Sequence, residues 1–418
     1  MSELLQKAAQ NIARIARTLA RWLLMAAVIG GLCGAVGTAF HLAVDKATEL
    51  RGTHTWFLYL LPFAGLAIVA LYKLTGTEGM NTDDVIDAVQ DGKPVALLLL
   101  PAIFIGTVLT HLTGGSAGRE GAALQIGGGV GFAAGRLFRL DEKELRMATL
   151  CGMSALFSAL FGTPLTAAVF ALEVVSVGQL YYSGLVPCLA SALTAYGITG
   201  LFGIAPTRFS IPFVALSADG LWRVAVLAVL CALVSILFCV TMHKSAHFAE
   251  KYIPNAYLRA AAGGVIIIAL TLLLGTTDYN GAGVGVITAA LERGEARPEA
   301  FLLKLVFTAV TLASGYRGGE VVPAFFIGST FGCAAGALLG LDPGFAAGIG
   351  LVAVFCGAVN CPVASMFLSV ELFGSGEILY FALACCVSYM LSGYTGLYSS
   401  QKIMYSKLRP EFIDINAK

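Results

Sequence analysis

A glutamate and an arginine stand side by side in GGSAGREGAALQIGGG, residues 114–129, a glycine-rich run in an otherwise apolar chain. Two more glycine-rich breaks lead into helical runs, GTEGMNTDDVIDAV at 76–89 and GYRGGEVVPAFF at 315–326. A helix start offers unpaired backbone N–H groups and about half a positive charge, so each break is a ready anion site. Several such starts aimed at one point would bind an anion without a fixed cationic side chain, which would hold it too tightly to release it. Glu120, placed at one of these starts, is itself an anion. Its carboxylate can fill the site when the substrate leaves, and an anion bound beside it favours the protonated form. Keeping a carboxylate deep in a span costs roughly 2.5–3.5 kcal/mol, which makes Glu120 a candidate gate that carries a proton. Capping the helix or pairing with Arg119 is the simpler use of the same residue.

The elements that must position these groups are membrane spans. The chain has 418 residues, 58% of them hydrophobic and 12% charged, and apolar stretches of spanning length recur from Trp22 to Leu391. This composition predicts an all-α polytopic membrane protein. Its 49 glycines are nearly twice the ordinary usage of roughly 7% and point to closely packed or broken helices around a cavity. A net charge of +1, with no basic patch interleaved with aromatics, argues against a nucleic-acid partner. The ten cysteines include no C-x-x-C and read as packing residues. No metal cluster and no cofactor motif is apparent, and there is no nucleophile or soluble domain to suggest an enzyme.

The domain reading has four parts: an amphipathic basic helix over 1–21, a first membrane repeat over 22–205, a second over 218–400, and a tail over 401–418. Leu4, Leu5, Ile12 and Ile15 share a face of the first part, with Arg14, Arg17 and Arg21 elsewhere. With Lys402, Lys407 and Arg409 at the other end, these cations place both termini in the cytoplasm and imply an even number of crossings once re-entrant segments are discounted. The repeats rest on two internal matches. IGGGVGFAAG at 126–135 aligns without gaps on IGSTFGCAAG at 327–336, and TPLTAAVFALEV aligns on CPVASMFLSVEL with Pro164 on Pro362 and Glu173 on Glu371. Breaks at Gly162, Pro164 and Pro362 suit short, interrupted helices, with an inverted second repeat and a substrate site near the midplane between the halves.

GREG before a glycine-rich helix, G-G-x-x-x-P at Gly318–Pro323, LYS at Leu397–Ser399 and the duplicated P-x8-E helices resemble the CLC family of anion channels and anion/proton exchangers. The resemblance covers nearly the whole chain. It implies a CLC-type inverted repeat of short, tilted and broken helices in the cell membrane, assembled as a homodimer with an anion path in each subunit. Glu120 falls on the family's gating glutamate, and Tyr398 on the central tyrosine whose hydroxyl faces the anion.

Departures from the chloride-handling pattern narrow the resemblance. The first break reads Gly79-Met80-Asn81 where chloride members have G-S-G, so Met80 replaces the serine. Ala122 replaces the usual proline, Glu320 and Val321 replace apolar residues, and Val174 stands where proton-coupled chloride exchangers carry an inner glutamate. Together these features are similar to the fluoride-transporting branch, which implies a secondary-active fluoride/proton antiporter that exports fluoride. A chloride/proton exchanger or passive chloride channel is the alternative. In that reading Glu120 transfers the proton, Glu320 assists from the second repeat, and Met80, Asn81, Gly121, Val321, Val322 and Tyr398 bind the anion. Asp83, Asp84 and Asp87 read as helix-capping residues, Glu173 and Glu371 as caps or anchors of the repeats, and all five histidines as structural. With no further module after Lys418, nucleotide control through a C-terminal domain is not expected.

Overall fold

The computed structural model describes residues 2–418; Met1, the first residue of the expected 1–21 helix, lies outside the described residues. Eight helices make up the first half: α1 (Ser2–Thr53), α2 (Leu61–Thr75), α3 (Thr82–Asp91), α4 (Leu99–Thr113), α5 (Glu120–Leu137), α6 (Glu142–Phe161), α7 (Pro164–Glu173) and α8 (Leu185–Leu201). Eight more follow an extended linker: α9 (Ala218–Tyr252), α10 (Ala256–Leu274), α11 (Val284–Thr288), α12 (Ala300–Ala313), α13 (Val321–Leu338), α14 (Pro343–Val359), α15 (Pro362–Phe373) and α16 (Ile378–Leu391). The two sets correspond one to one, and their packing corresponds as well. α1 lies on α6 and α8 as α9 lies on α14 and α16, while α2 meets α10, α7 meets α15 and α5 meets α13 across the halves. Among the described residues, seven helical segments are long and apolar enough to cross a membrane, and further apolar helices are shorter.

Local sequence explains the interruptions. Gly162, at φ 70°, ends α6 in the left-handed conformation and Pro164 opens α7 at its first position; Asn360, at φ 56°, and Pro362 do the same between α14 and α15. The tightest packing is made by glycines. A Cβ on Gly152 would strike the carbonyl oxygen of Gly127, and one on Gly350 that of Gly328, so α5 on α6 and α13 on α14 approach backbone to backbone.

The starts of α7 and α15 are held across the repeats. Glu371, near the end of α15, accepts hydrogen bonds from the main-chain N–H groups of Leu165 (3.0 Å) and Thr166 (2.8 Å) and from the Thr166 hydroxyl (2.6 Å). Glu173, at the end of α7, accepts from Val363 (3.2 Å) and Ala364 (2.8 Å). Each carboxylate caps the other half's helix, as the duplicated positions suggested.

Both ends of the chain differ from the four-part reading. Residues 2–21 are not a separate interfacial helix, because α1 runs unbroken through Trp22. Between Ile15 and Trp22 there is no glycine or proline to stop it, and Arg21 is tied to Glu144 at the start of α6 (2.8 Å). The 401–418 segment is no loose tail either. β1 (Ser176–Val177) pairs in parallel with β2 (Lys402–Tyr405), which pairs antiparallel with β3 (Phe412–Asn416). Lys407 turns inward to Asn360 Oδ1 (2.5 Å) and Ser392 Oγ (3.0 Å), and burial pulls its ammonium down to about 8. Arg146 donates to the Gln90 carbonyl and Gln90 to the Ser400 carbonyl, both at 2.8 Å, so the Arg21 end of α1 and the C-terminal strands share one face of the molecule.

Replacing Glu371 with alanine strands two backbone donors and a hydroxyl, at a cost of about 1–3 kcal/mol. Glu371→Ala is therefore expected to lower the thermal unfolding midpoint in detergent clearly, and Glu371→Gln to lower it less because an amide oxygen still accepts. An unchanged midpoint in the alanine variant would remove the capping role.

Candidate functional site

The two halves meet on their main chains. Gly118 N–H donates to Gly319 O (2.7 Å) and Gly319 N–H to Gly118 O (2.8 Å), an isolated antiparallel bridge between residues at equivalent places in the repeat. Such a self-related pair marks the pseudo-two-fold axis. From it α5 and α13 set out with Arg119 and Glu320 as their N-caps. A Cβ on Gly319 would collide with the main-chain nitrogen of Gly121, so only glycine admits this approach.

Glu120 is 2% exposed. Its Oε2 accepts from the Arg119 main-chain N–H (2.8 Å), and the main-chain N–H of Val322, in the first turn of α13, also reaches the carboxylate. The acid thus sits across the starts of two helices from different repeats. Its link to the Arg119 guanidinium is loose, with Nε 3.9 Å from Oε1, because Nη1 of Arg119 is engaged at 2.9 Å by Asp45 on α1. Glu320 places its Oε2 beside Gly121 from the opposite repeat.

The third helix start is α3. Asn81 caps it by accepting from Asp83 N–H (2.7 Å), while Asp84 accepts from Asn81 N–H (2.8 Å). Gln125 of α5 donates to the Thr82 hydroxyl (3.1 Å), which ties α3 to α5. Asp83 departs from its capping assignment. It accepts from Ser399 Oγ (3.0 Å) and Ser400 N–H (2.9 Å), and so fixes the loop that carries Tyr398. Tyr398 is buried, and its hydroxyl has no hydrogen-bond partner in the protein.

A cavity of about 570 Å³ runs from the face that holds the chain ends to this centre, lined near its inner end by Asn81, Gln125, Glu320 and Tyr398. Glu120, Gly121, Val321 and Val322 are buried behind its end wall. The Met80 side chain does not line the cavity. It packs partly buried against the apolar core while its carbonyl accepts from Arg317 Nη1 (3.1 Å). Val174 is fully buried and its carbonyl accepts from Gln401 (3.1 Å), so no titratable side chain occupies that position. A second cavity, about 1000 Å³, opens at the far end of α1 among Arg51, Arg293 and Arg297.

His111 and His243 contact the carbonyls of Gly118 (3.3 Å) and Gly396 (2.8 Å). Among the described residues no group of three metal-ligating side chains occurs and the cysteines are unpaired. Neither Asp45 as the partner of Arg119 nor Gln125 as a bridge was legible in the sequence. Nor was Lys304, which is fully buried and donates to the carbonyls of Tyr279 (3.2 Å) and Gly281 (2.6 Å). Arg317 lay inside a motif already singled out, GYRGGE, where a cation among glycines was the available signal.

Residues 64–393 match the family described as "Voltage gated chloride channel". The chain belongs to this family. A relative from Pseudomonas syringae pv. tomato, named "Chloride/fluoride channel protein", is 39% identical over 400 residues, covering 93% of this chain and 88% of its own. The "H(+)/Cl(-) exchange transporter ClcA" of Vibrio parahaemolyticus is 26% identical over 87% of this chain and 85% of its own. Among solved structures, a "CLC-type fluoride/proton antiporter" superposes with a TM-score of 0.88 at 32% identity, covering 92% of this chain and 98% of that one. A "slow cyanobacterial Cl-/H+ antiporter" superposes with a TM-score of 0.77 at 19% identity, covering 89% and 94%, a likeness of fold. The family's inverted architecture of broken helices is the one described above.

Proposed function

We propose that this protein is a secondary-active fluoride/proton antiporter that moves fluoride out of the cytoplasm in exchange for protons. The observation that carries the reading is the place of Glu120: a carboxylate, 2% exposed, seated on the main-chain donors of two helix starts at the end of an open cavity. An anion taking that seat must displace the carboxylate, and the displaced carboxylate keeps its place in the membrane at least cost by binding a proton. Anion and proton movements are thereby coupled through one side chain. Glu320 and Tyr398 flank the cavity end, where a carboxylate can pass a proton to the aqueous side and a hydroxyl can hold the anion. With only Val174 at the alternative inner position, Glu320 is the acid available for that transfer.

The solved fluoride/proton antiporter, similar over nearly its whole length, supports fluoride as the substrate. The chloride reading draws on the exchangers at 26% identity. The cations Arg14, Arg17, Arg21 and Lys402 share the face onto which the 570 Å³ cavity opens, and we assign that face to the cytoplasm. Two copies are expected to associate in the bilayer, as resemblance to the family implies.

Reconstituted vesicles test the reading: an inward proton gradient should drive fluoride out, and fluoride release without proton uptake would reduce the protein to a channel. Glu120→Gln preserves size but carries no proton, and should abolish coupled proton movement; persistent fluoride-driven proton uptake would remove Glu120 from the mechanism.

Glu320→Gln separates a helix cap from a proton carrier. As a cap it contributes about 0.3–1 kcal/mol, so the amide should cost little stability. As a proton participant it should slow proton flux at least ~10-fold, as expected when a positioned acid–base group is lost. Normal exchange by a folded variant would return Glu320 to a structural role.

Met80→Ser restores the hydroxyl present in chloride-handling relatives and should weaken discrimination against chloride. Because the Met80 side chain packs into the core, relative fluxes of the two anions unchanged from wild type would place selectivity at Asn81 or Tyr398 instead.

A further inference from the structure

We propose that Arg317 and Arg259, together with Tyr72, form an entry site for the transported anion in the cytoplasmic-side cavity, outside the path through Asn81, Glu320 and Tyr398. The inference rests on the transport reading and adds to it the group that collects the substrate.

All three residues line the 570 Å³ cavity. The Arg317 guanidinium carbon lies over the Tyr72 ring, 3.9 Å from its centroid, and one of its nitrogens donates to the Met80 carbonyl at 3.1 Å. Its Nε has no partner. The same holds for Arg259 Nε and the Tyr72 hydroxyl, although all three atoms are shielded from bulk water by the protein. Arg259 stands in the first turn of α10, with a single bond from Nη1 to the Ile253 carbonyl (3.1 Å). Neither arginine forms an ion pair with a carboxylate among the described residues. The acids on the cavity wall outside the centre, Glu78 and Glu250, are exposed and pair with neither.

Two half-buried guanidinium groups line one cavity and neither is ion-paired, although Glu78, Asp83, Glu250 and Glu320 line it too; as like charges the two guanidiniums repel each other. That cost is offset when an anion stands between them. Both guanidinium groups line the cavity that an anion crosses to reach Asn81 and Tyr398, and low-dielectric walls focus the field of their charges along it. A guanidinium suits this task because it is weakly hydrated and stacking holds its plane fixed. The ligand is a small monovalent anion, fluoride first, that still keeps part of its water. Such a site holds loosely and refills quickly, unlike a fully enclosed cation.

The Met80 contact gives Arg317 a second role, positioning the loop that carries Met80 and Asn81, so the test must separate the two. Arg259 touches no part of that loop. Purified wild type, Arg259→Gln, Arg317→Gln, Arg317→Lys and, as a same-face control, the exposed Lys244→Gln are reconstituted. Initial fluoride/proton exchange is then measured against fluoride concentration at low and high potassium gluconate. Charge steering of this kind is worth ~10-fold or more in capture. Arg259→Gln and Arg317→Gln should therefore raise half-saturating fluoride several-fold at low salt, keep the wild-type fluoride-to-proton ratio, and lose most of the salt dependence that wild type shows. Arg317→Lys should retain most of the wild-type value. An Arg259→Gln protein with wild-type half-saturation and salt dependence overturns the entry site, as does an equal effect in Lys244→Gln. If Arg317→Gln does not fold, Arg259→Gln decides alone. Failure of wild type to couple fluoride to protons would instead sink the transport reading, and the entry site with it.

Discussion

Two main-chain hydrogen bonds between Gly118 and Gly319 set the geometry on which the rest of the centre depends. They join equivalent residues of the two halves, so the pseudo-symmetry axis passes through them, and α5 and α13 must start within a few residues of that axis. Two helix starts then point their unpaired N–H groups into one small volume, and a carboxylate from either repeat can reach the other's donors. Any side chain at Gly319 would meet the Gly121 backbone, so the sequence at the axis is held to glycine and chemistry is displaced to the next positions. The duplicated position carries Arg119 in one half and Glu320 in the other. From this asymmetry a symmetric scaffold acquires a direction, with a cation turned toward Asp45 on one side and an acid turned toward the open cavity on the other.

The same logic governs the second crossing of the halves. Glu173 and Glu371 each satisfy the first donors of the opposite repeat's helix. In the membrane interior an unsatisfied donor costs several kcal/mol, so a helix that begins inside the bilayer needs an acceptor from elsewhere. Here the acceptor is another helix end, and the two breaks stabilise one another. By contrast α5 starts with Glu120 as its own source of negative charge. That carboxylate can leave only if something else occupies the donors, which is the condition an exchanged anion fulfils.

What could be read from the sequence follows from which interactions are local. The repeat was legible because α5 and α13 match without gaps, and the breaks at Gly162 and Pro362 because left-handed caps and N-terminal prolines are written in adjacent residues. Glu173 and Glu371 were legible as a pair because duplication displays both partners at once. Asp83 was not: its partners Ser399 and Ser400 lie more than 300 positions away, while its neighbours offer a sufficient capping explanation. The ends misled for a different reason. A change in composition at Trp22 suggested a boundary, but composition does not end a helix when no glycine or proline stands across it. KIMY and FIDIN were available as strand signals in a segment read as a tail, and the pairing of KIMY with Ser176–Val177 depends on a break in the first repeat.

Arg317 bears on the argument that a transporter site should avoid fixed cations. The centre follows that rule, since the one arginine next to Glu120 is drawn off by Asp45 and the donors around the gate are main-chain N–H groups. A helix start attracts an anion through a field that fades within a turn, so it cannot draw a strongly hydrated ion from bulk water. Capture and release thus make opposite demands on charge. Separating them in space resolves the conflict: full charges stand in the wider, partly hydrated cavity, where binding is weak, and partial charges stand at the enclosed centre, where a full charge would trap the ion. Holding the Met80 carbonyl with one nitrogen of Arg317 joins the two zones mechanically. Because its guanidinium is already committed to Tyr72 on one face and to the Met80 loop at one edge, the charge remains at the cavity wall and cannot follow the anion inward.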